Sequence, residues 1–311
     1  MAKKRSDSDI FEKNLTSLDR ETARRLEKRI CLFAEASHSA AEQLMTAAQE
    51  GPPRKELLES IAPALFENAL HENALPENRR LLQTALSSLS ALDRVSFINA
   101  LLERLAAAGA PLSTEELIPS AGEPEPRVAY FRNPYTDEAY EIFSEELSFP
   151  KVQYTDSFRA SCEAVRTGAA GFCILPVANT EGELFSFTDM ADSHGLVRVA
   201  LCRVFHADGT DVTHFALYAR SFFFPLSEGE KRTLRFSLTL RGAEEIACTV
   251  SALSLLGAEM LSFSGTDGED GEHTVFSAVC RILPTECLSL SAYLTVFSDG
   301  WRFLGLYREL S

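Results

Sequence analysis

The sequence predicts a multidomain chain: an all-α helical domain first, then a single α/β lobe, then a C-terminal ferredoxin-like βαββαβ unit. Three observations predict it. Apolar residues recur at helical spacing through the first third, and short apolar strands alternate with helices after the linker at residues 119–126. Near the start of the last segment Leu234, Phe236, Leu238 and Leu240 alternate strictly, as along a strand with one buried face.

Residues 1–9, MAKKRSDSD, are charged and expected to fray. From Ile10 to Glu50 the residues Leu15, Leu18, Leu26, Ile30 and Phe33 mark one long amphipathic helix or two in line, stopped by Gly51-Pro52-Pro53. Further helices are expected over Lys55 to Glu72, Pro76 to Leu92 and Asp93 to Ala108. Gly109-Ala110-Pro111 ends the last of them, and PSAGEPEP at 119–126 is a polar linker. The helical domain is therefore assigned to residues 1–118.

The α/β lobe is assigned to residues 127–222. Val128 to Phe131 reads as a buried strand, Thr136 to Glu146 as a helix capped at Thr136 with Tyr140 and Phe143 inward, and Lys151 to Tyr154 as a short strand. Ser157 caps a helix that turns Phe158, Cys162 and Val165 to one face and ends at Gly168. Gly171 to Val177 continues as a buried strand whose far end presents Asn179, Thr180 and Glu181, the place where α/β sheets usually hold small ligands. A helical piece at Phe187 to Ala191 and strands at Val197 to Phe205 and Thr213 to Ala219 close the lobe, for which a largely parallel sheet is expected.

After Phe222-Phe223-Phe224-Pro225 and the connector SEGEKR, residues 231–311 carry the βαββαβ pattern. The strand Leu234 to Leu240 leads to a helix at Glu244 to Leu256, then strands at Ala258 to Ser264 and His273 to Ile282. A helix capped by Thr285 and a strand at Trp301 to Tyr307 complete it. The acidic stretch Thr266 to Glu272 lacks the spacing of a calcium loop and reads as solvated.

The net charge of -15 and a sequence pI near 4.9 argue against nucleic acid or an anionic membrane as partner. No apolar run is long enough to span a bilayer, and a cytoplasmic location is expected. The seven cysteines form no CxxC pair and mostly lie in apolar segments, so they read as reduced core residues. Six histidines fall in no ligand-like spacing, and neither a metal nor another cofactor is expected.

With the elements placed, their order resembles prephenate dehydratase followed by its regulatory ACT domain. SFRASCEAVRTGAAGFCILPVAN, from Ser157 to Asn179, is similar to the helix and strand that lead into that family's Pro-x-Glu-Asn-Ser motif, and Glu181-Gly182 to its continuation. Val128 to Phe131 with Thr136 resembles the opening strand and its Gly-Thr-Tyr-Ser loop, and Val212-Thr213-His214-Phe215 resembles the Thr-Arg-Phe motif. Leu234 to Leu240, Gly242-Ala243, Leu255-Leu256-Gly257 and Leu304 to Tyr307 resemble an ACT domain in order and spacing. In front, Leu18-Asp19 and Arg29 resemble the first helix of chorismate mutase, although Ala40 stands where that helix carries a lysine.

The resemblance implies half of a periplasmic-binding-protein-like pair of lobes, an ACT-mediated homodimer, and a small carboxylate ligand such as prephenate or an aromatic amino acid. It casts Thr213 as the catalytic acid with Asn179 and Thr180 orienting the substrate, Thr136, Arg132 and His214 as substrate-binding groups, and Gly242 and Ala243 as the effector turn. Several positions depart from the family. Ala178 replaces the motif glutamate, Thr180 its serine and His214 the arginine, Arg132 and Tyr135 replace loop glycines, and only the turn from His206 to Val212 stands where a second lobe is normally inserted. The phenylalanine motif Glu-Ser-Arg-Pro aligns with Ser264, Gly265, Thr266 and Asp267. The expectation is a prephenate dehydratase-like protein of phenylalanine biosynthesis with reduced or absent catalysis; the alternative is a non-catalytic sensing or assembly module that dimerises through its ACT domain.

Overall fold

The α/β segment and the βαββαβ segment share a single ten-stranded sheet. The computed structural model describes residues 40–42, 44, 45, 54–56, 58, 90–118, 124–146, 151–207, 209, 211–221, 229–240, 242–267, 274–298 and 300–310. The chain divides into one unit of Met1–Leu112 and another of Ser113–Ser311.

In the first unit the helices expected between Ile10 and Leu92 fall almost wholly outside the described residues. Helix α1 runs Ala91–Ala107 and buries Val95, Phe97, Ile98, Leu101 and Leu105. It begins before Asp93, where the sequence placed its start, because Ser90 and Asp93 form a capping box. The Ser90 hydroxyl accepts from Asp93 N at 3.3 Å, and the Asp93 carboxylate accepts from Ser90 N at 3.0 Å.

In the second unit a short helix α2 (Thr114–Leu117) precedes β1 (Arg127–Phe131), α3 (Pro134–Glu146), β2 (Lys151–Thr155), α4 (Phe158–Arg166) and β3 (Phe172–Asn179). A short β4 (Gly182–Glu183), α5 (Phe185–Ser193), β5 (Val197–Phe205) and β6 (Val212–Ala219) follow. Then come β7 (Arg232–Leu240), α6 (Gly242–Leu255), β8 (Glu259–Asp267), β9 (Thr274–Ile282), α7 (Pro284–Phe297) and β10 (Arg302–Leu310). Along the sheet the strands stand in the order β2-β1-β3-β6-β5-β10-β7-β9-β8, with β4 on β3.

Two helix starts differ from expectation for one physical reason: proline fits the first helical turn, where an N–H is not needed. α3 starts at Pro134 with Asn133 as its cap, its side-chain oxygen accepting from Tyr135 N and Thr136 N at 3.0 Å each, so Thr136 lies inside the helix. α7 starts at Pro284, one residue ahead of Thr285. Ser157, by contrast, caps α4 as expected, accepting from Ala160 N at 3.2 Å.

The lobe's sheet is mixed. β1 pairs in parallel with β2 and β3, but β6 runs antiparallel to both β3 and β5, because a tight hairpin joins β5 to β6. Helices cover both faces: Tyr130 stacks on Tyr140 of α3, while its neighbour Phe131 meets Phe158 of α4 edge to face. Between β5 and β10 the pairing is parallel, and it is this ladder that continues the sheet into the last segment.

There the order β10-β7-β9-β8 is antiparallel throughout. Leu234, Phe236, Leu238 and Leu240 of β7 bury one face together with Ala278, Cys280 and Ile282 of β9. The other face carries Thr233, Arg235 and Ser237 opposite Arg281, Val279 and Ser277. That polar face turns toward the candidate site.

Candidate functional site

The sequence-predicted catalytic groups gather where β3 ends and β6 begins. Asn179 and Thr213 are register partners across those strands. Each predicted group is already engaged locally. The Asn179 side-chain oxygen accepts from Glu181 N at 2.9 Å in a turn of its own. The Thr180 hydroxyl accepts from Val212 N at 3.1 Å and donates to the Asp211 carboxylate at 3.3 Å, tying the strand ends together. The Thr213 hydroxyl lies 2.9 Å from His206 Nε2, and the His206 ring is stacked under Tyr135 with centroids 4.2 Å apart.

The three predicted substrate-binding groups do not converge. Thr136 is fully buried, its hydroxyl donating to Phe131 O at 2.8 Å and accepting from Asn133 N at 2.9 Å, so it braces the loop before α3. Arg132 lies in an exposed ion pair with Asp137 at 3.3 Å and over the Tyr154 ring. His214 follows Thr213 directly, so strand alternation turns it to the opposite face of the sheet. Gly242 opens α6 with φ +71, which suits glycine, and a side chain there would meet nothing within 4 Å. Ala243 beside it is exposed.

On the face that His214 shares lies an open cavity of about 560 Å³. Its floor is β3 to β10, with Ala178, Leu201 and Tyr307, and α5 supplies one wall through Phe185, Thr188 and Asp192. The other wall is the polar face of the last segment, rich in hydroxyls: Thr233, Ser237, Ser262, Ser264 and Ser277. Arg235 spans the cavity and clamps Asp192 with two bonds of 3.2 Å each. Ser264 and Thr266 of β8 line the same space.

Arg198 of β5 also lines this cavity, and sequence reasoning passed over it. It is 9% exposed. Its guanidinium lies over the rings of Tyr307 and Tyr218, 5.2 and 5.7 Å from their centroids, and donates to their hydroxyls at 3.4 and 3.1 Å. Nε is buried with no hydrogen-bond partner, and the side chain makes no ion pair among the described residues. Burial opposes its charge, yet the two tyrosines hold its pKa above the ordinary arginine value, so it stays cationic. A signal existed: VRVALCRVF is apolar apart from Arg198 and Arg203, and a charged residue in such a strand needs a partner or a purpose.

The imidazole of His214 is held below its ordinary pKa, first by burial and then by the positive charge of Arg203. Burial pushes the thiols of Cys202, Cys280 and Cys287 up to about 12, which leaves them protonated and unreactive at neutral pH. Among the described residues no group of three or more His, Cys, Asp or Glu could hold a metal ion, and no helix is long and apolar enough to cross a membrane.

No family model matches the chain, and no curated protein matches it. Among solved structures it is similar to prephenate dehydratase from Streptococcus mutans, at 17% identity and a TM-score of 0.47, covering 60% of this chain and 99% of that one. It is also similar to prephenate dehydratase in complex with L-Phe from Arthrobacter aurescens, at 13% identity and a TM-score of 0.46, covering 58% and 89%. A third similar structure is GqqA, described as a novel type of quorum quenching acylase, at 17% identity and a TM-score of 0.45, covering 59% and 95%. Likenesses this distant leave the chemistry to be read from the site itself.

Proposed function

We propose that this chain is a prephenate dehydratase-like protein of the phenylalanine lineage that binds a small molecule and does not dehydrate prephenate. In this reading residues 1–118 are a helical domain, 127–222 a binding lobe and 231–311 an ACT-like unit that pairs with a second copy. Dehydration needs a donor aimed at the departing ring hydroxyl and cations for a dianion, inside a pocket closed to water. The observation that carries the reading is the engagement of Thr213, Asn179 and Thr180 in the hydrogen bonds of their own strand ends, with Tyr135 packed on His206 beside them. Arg132, the cation expected on that rim, is paired with Asp137 and exposed.

Steady-state conversion of prephenate to phenylpyruvate tests it. The expected result is no rate above the spontaneous one with folded protein; a protein-dependent rate overturns it. A second reading has one observation in its favour: His206 Nε2 is placed to polarise the Thr213 hydroxyl. If that pair is catalytic, the wild-type protein turns prephenate over and Thr213→Val abolishes the turnover, with folding unchanged by circular dichroism. Pairing through the ACT-like unit predicts a dimer in sedimentation equilibrium, and a monomer at micromolar concentration removes that part of the proposal.

A further inference from the structure

We infer that the cavity over β5 and β10 is a binding site for a small organic monocarboxylate, whose carboxylate pairs with Arg198. This deepens the proposed binding role by naming the ligand class, and it rests on Arg198 itself and not on the phenylalanine lineage.

A guanidinium offers five N–H donors and cannot shed its charge. In Arg198 two donors are used on tyrosine hydroxyls, the neutral partners nearest to it, and Nε–H has none. A buried cation without a counter-charge is costly, and one that a protein keeps is normally matched by an anion. Four carboxylates line the cavity and none is ion-paired with Arg198 among the described residues: Asp192 is taken bidentately by Arg235, Glu309 is paired with Arg203 at 2.9 Å, and Glu183 and Asp189 make no ion pair with it. The tyrosine hydroxyls take one donor from each terminal nitrogen, which leaves three of the five N–H donors for a carboxylate, a group that accepts two parallel bonds from a guanidinium.

The surroundings limit the ligand further. Arg198 is the one cation of this cavity that is both buried and without an ion pair among the described residues, which matches a single negative charge better than two. The volume near 560 Å³ admits a small organic molecule and exceeds what a bare inorganic ion needs. Hydroxyls from Thr233, Ser237 and Ser277 alternate with the apolar Leu201, Leu304 and Val279, a lining suited to an apolar body with one or two polar substituents.

Benzoate is the probe, with benzamide as its uncharged match and inorganic phosphate as a non-carboxylate anion, each titrated into the full-length protein by calorimetry. The expected result is saturable benzoate binding, at least tenfold weaker binding of benzamide and of phosphate, and at least a tenfold loss of benzoate affinity in Arg198→Met. Because that variant removes a buried group and can misfold, the wild-type Nε–H resonance of Arg198 is followed by nitrogen-15 NMR during the same titration. A shift that saturates with the calorimetric curve supports the site. Absence of saturable benzoate binding, equal binding of benzamide or tighter binding of phosphate, unchanged affinity in folded Arg198→Met, or an unmoved Nε–H signal at saturation would each overturn it. A prephenate turnover found in the assay above would sink the non-catalytic reading and leave this inference standing.

Discussion

His214 sits half-buried on the cavity face of β6, where burial and Arg203 hold its pKa below the ordinary value of 6.5. The unfolded chain therefore binds a proton there that the folded chain refuses. Stability from this neutral imidazole is fully present above pH 6.5 and is lost as the pH falls through the lower folded value. His214→Gln keeps a neutral polar side chain and removes the titration, so unfolding free energy should vary less steeply with pH just below 6.5 than in the wild type. Urea unfolding across that range checks it, and identical slopes would assign the acid sensitivity to other groups. The sequence already contained the geometric half of this point. Thr213 and His214 are adjacent on a strand, so they cannot serve one pocket, and a motif match that named both overlooked the two-residue period of a sheet. What alternation could not tell was which face would hold the cavity, because that depends on β10 and β7, distant in sequence.

At the scale of elements, the contact that matters most is the one between β5 and β10. Gly305 pairs with Arg198 where the register of that ladder shifts, and it adopts φ +155, a conformation that side chains rarely take. A Cβ at this position would lie 2.5 Å from the carbonyl oxygen of Arg198 and 2.9 Å from its nitrogen, both backbone atoms that cannot turn aside. Gly305→Ala is expected to lower stability by about 3 kcal/mol, since it adds backbone strain and forces two paired strands apart. Gly182 gives the control: its φ is +134, but a Cβ there meets nothing within 4 Å, so Gly182→Ala should cost only about 1 kcal/mol. Equal losses in urea unfolding would mean that backbone conformation alone, and not the close approach of β10, governs Gly305. Within elements the sequence was readable. Ser157 capped its helix and Leu234 to Leu240 alternated as written, because caps and periodicity are local. The starts of α3 and α7 were displaced by Pro134 and Pro284, whose preference for the first turn outranked the threonines nearby.

At the scale of the whole molecule, the joining of two sequence patterns into one sheet was not legible, since a parallel ladder between β5 and β10 leaves no local mark in either strand. The connector between Ala219 and Arg232 reads as a boundary, and the pairing passes it by. Three further contacts bind the same seam: Arg203 to Glu309 across β5 and β10, Arg235 to Asp192 from β7 to α5, and Arg198 to the Tyr307 hydroxyl. A fold divided at the connector would let the last segment unfold by itself, whereas a shared sheet with a buried seam couples the two parts. Residues 127–311 are therefore expected to unfold in one cooperative step. The single tryptophan, Trp301, precedes β10 and reports on the last segment by fluorescence, while amide exchange in β3 reports on the lobe. The two midpoints in urea should coincide, and Gly305→Ala, by loosening the seam, should separate them. Were Trp301 to respond at lower urea than the β3 amides in the wild type, the ladder between β5 and β10 would be a contact between independent units, and the cavity above it would open and close with them.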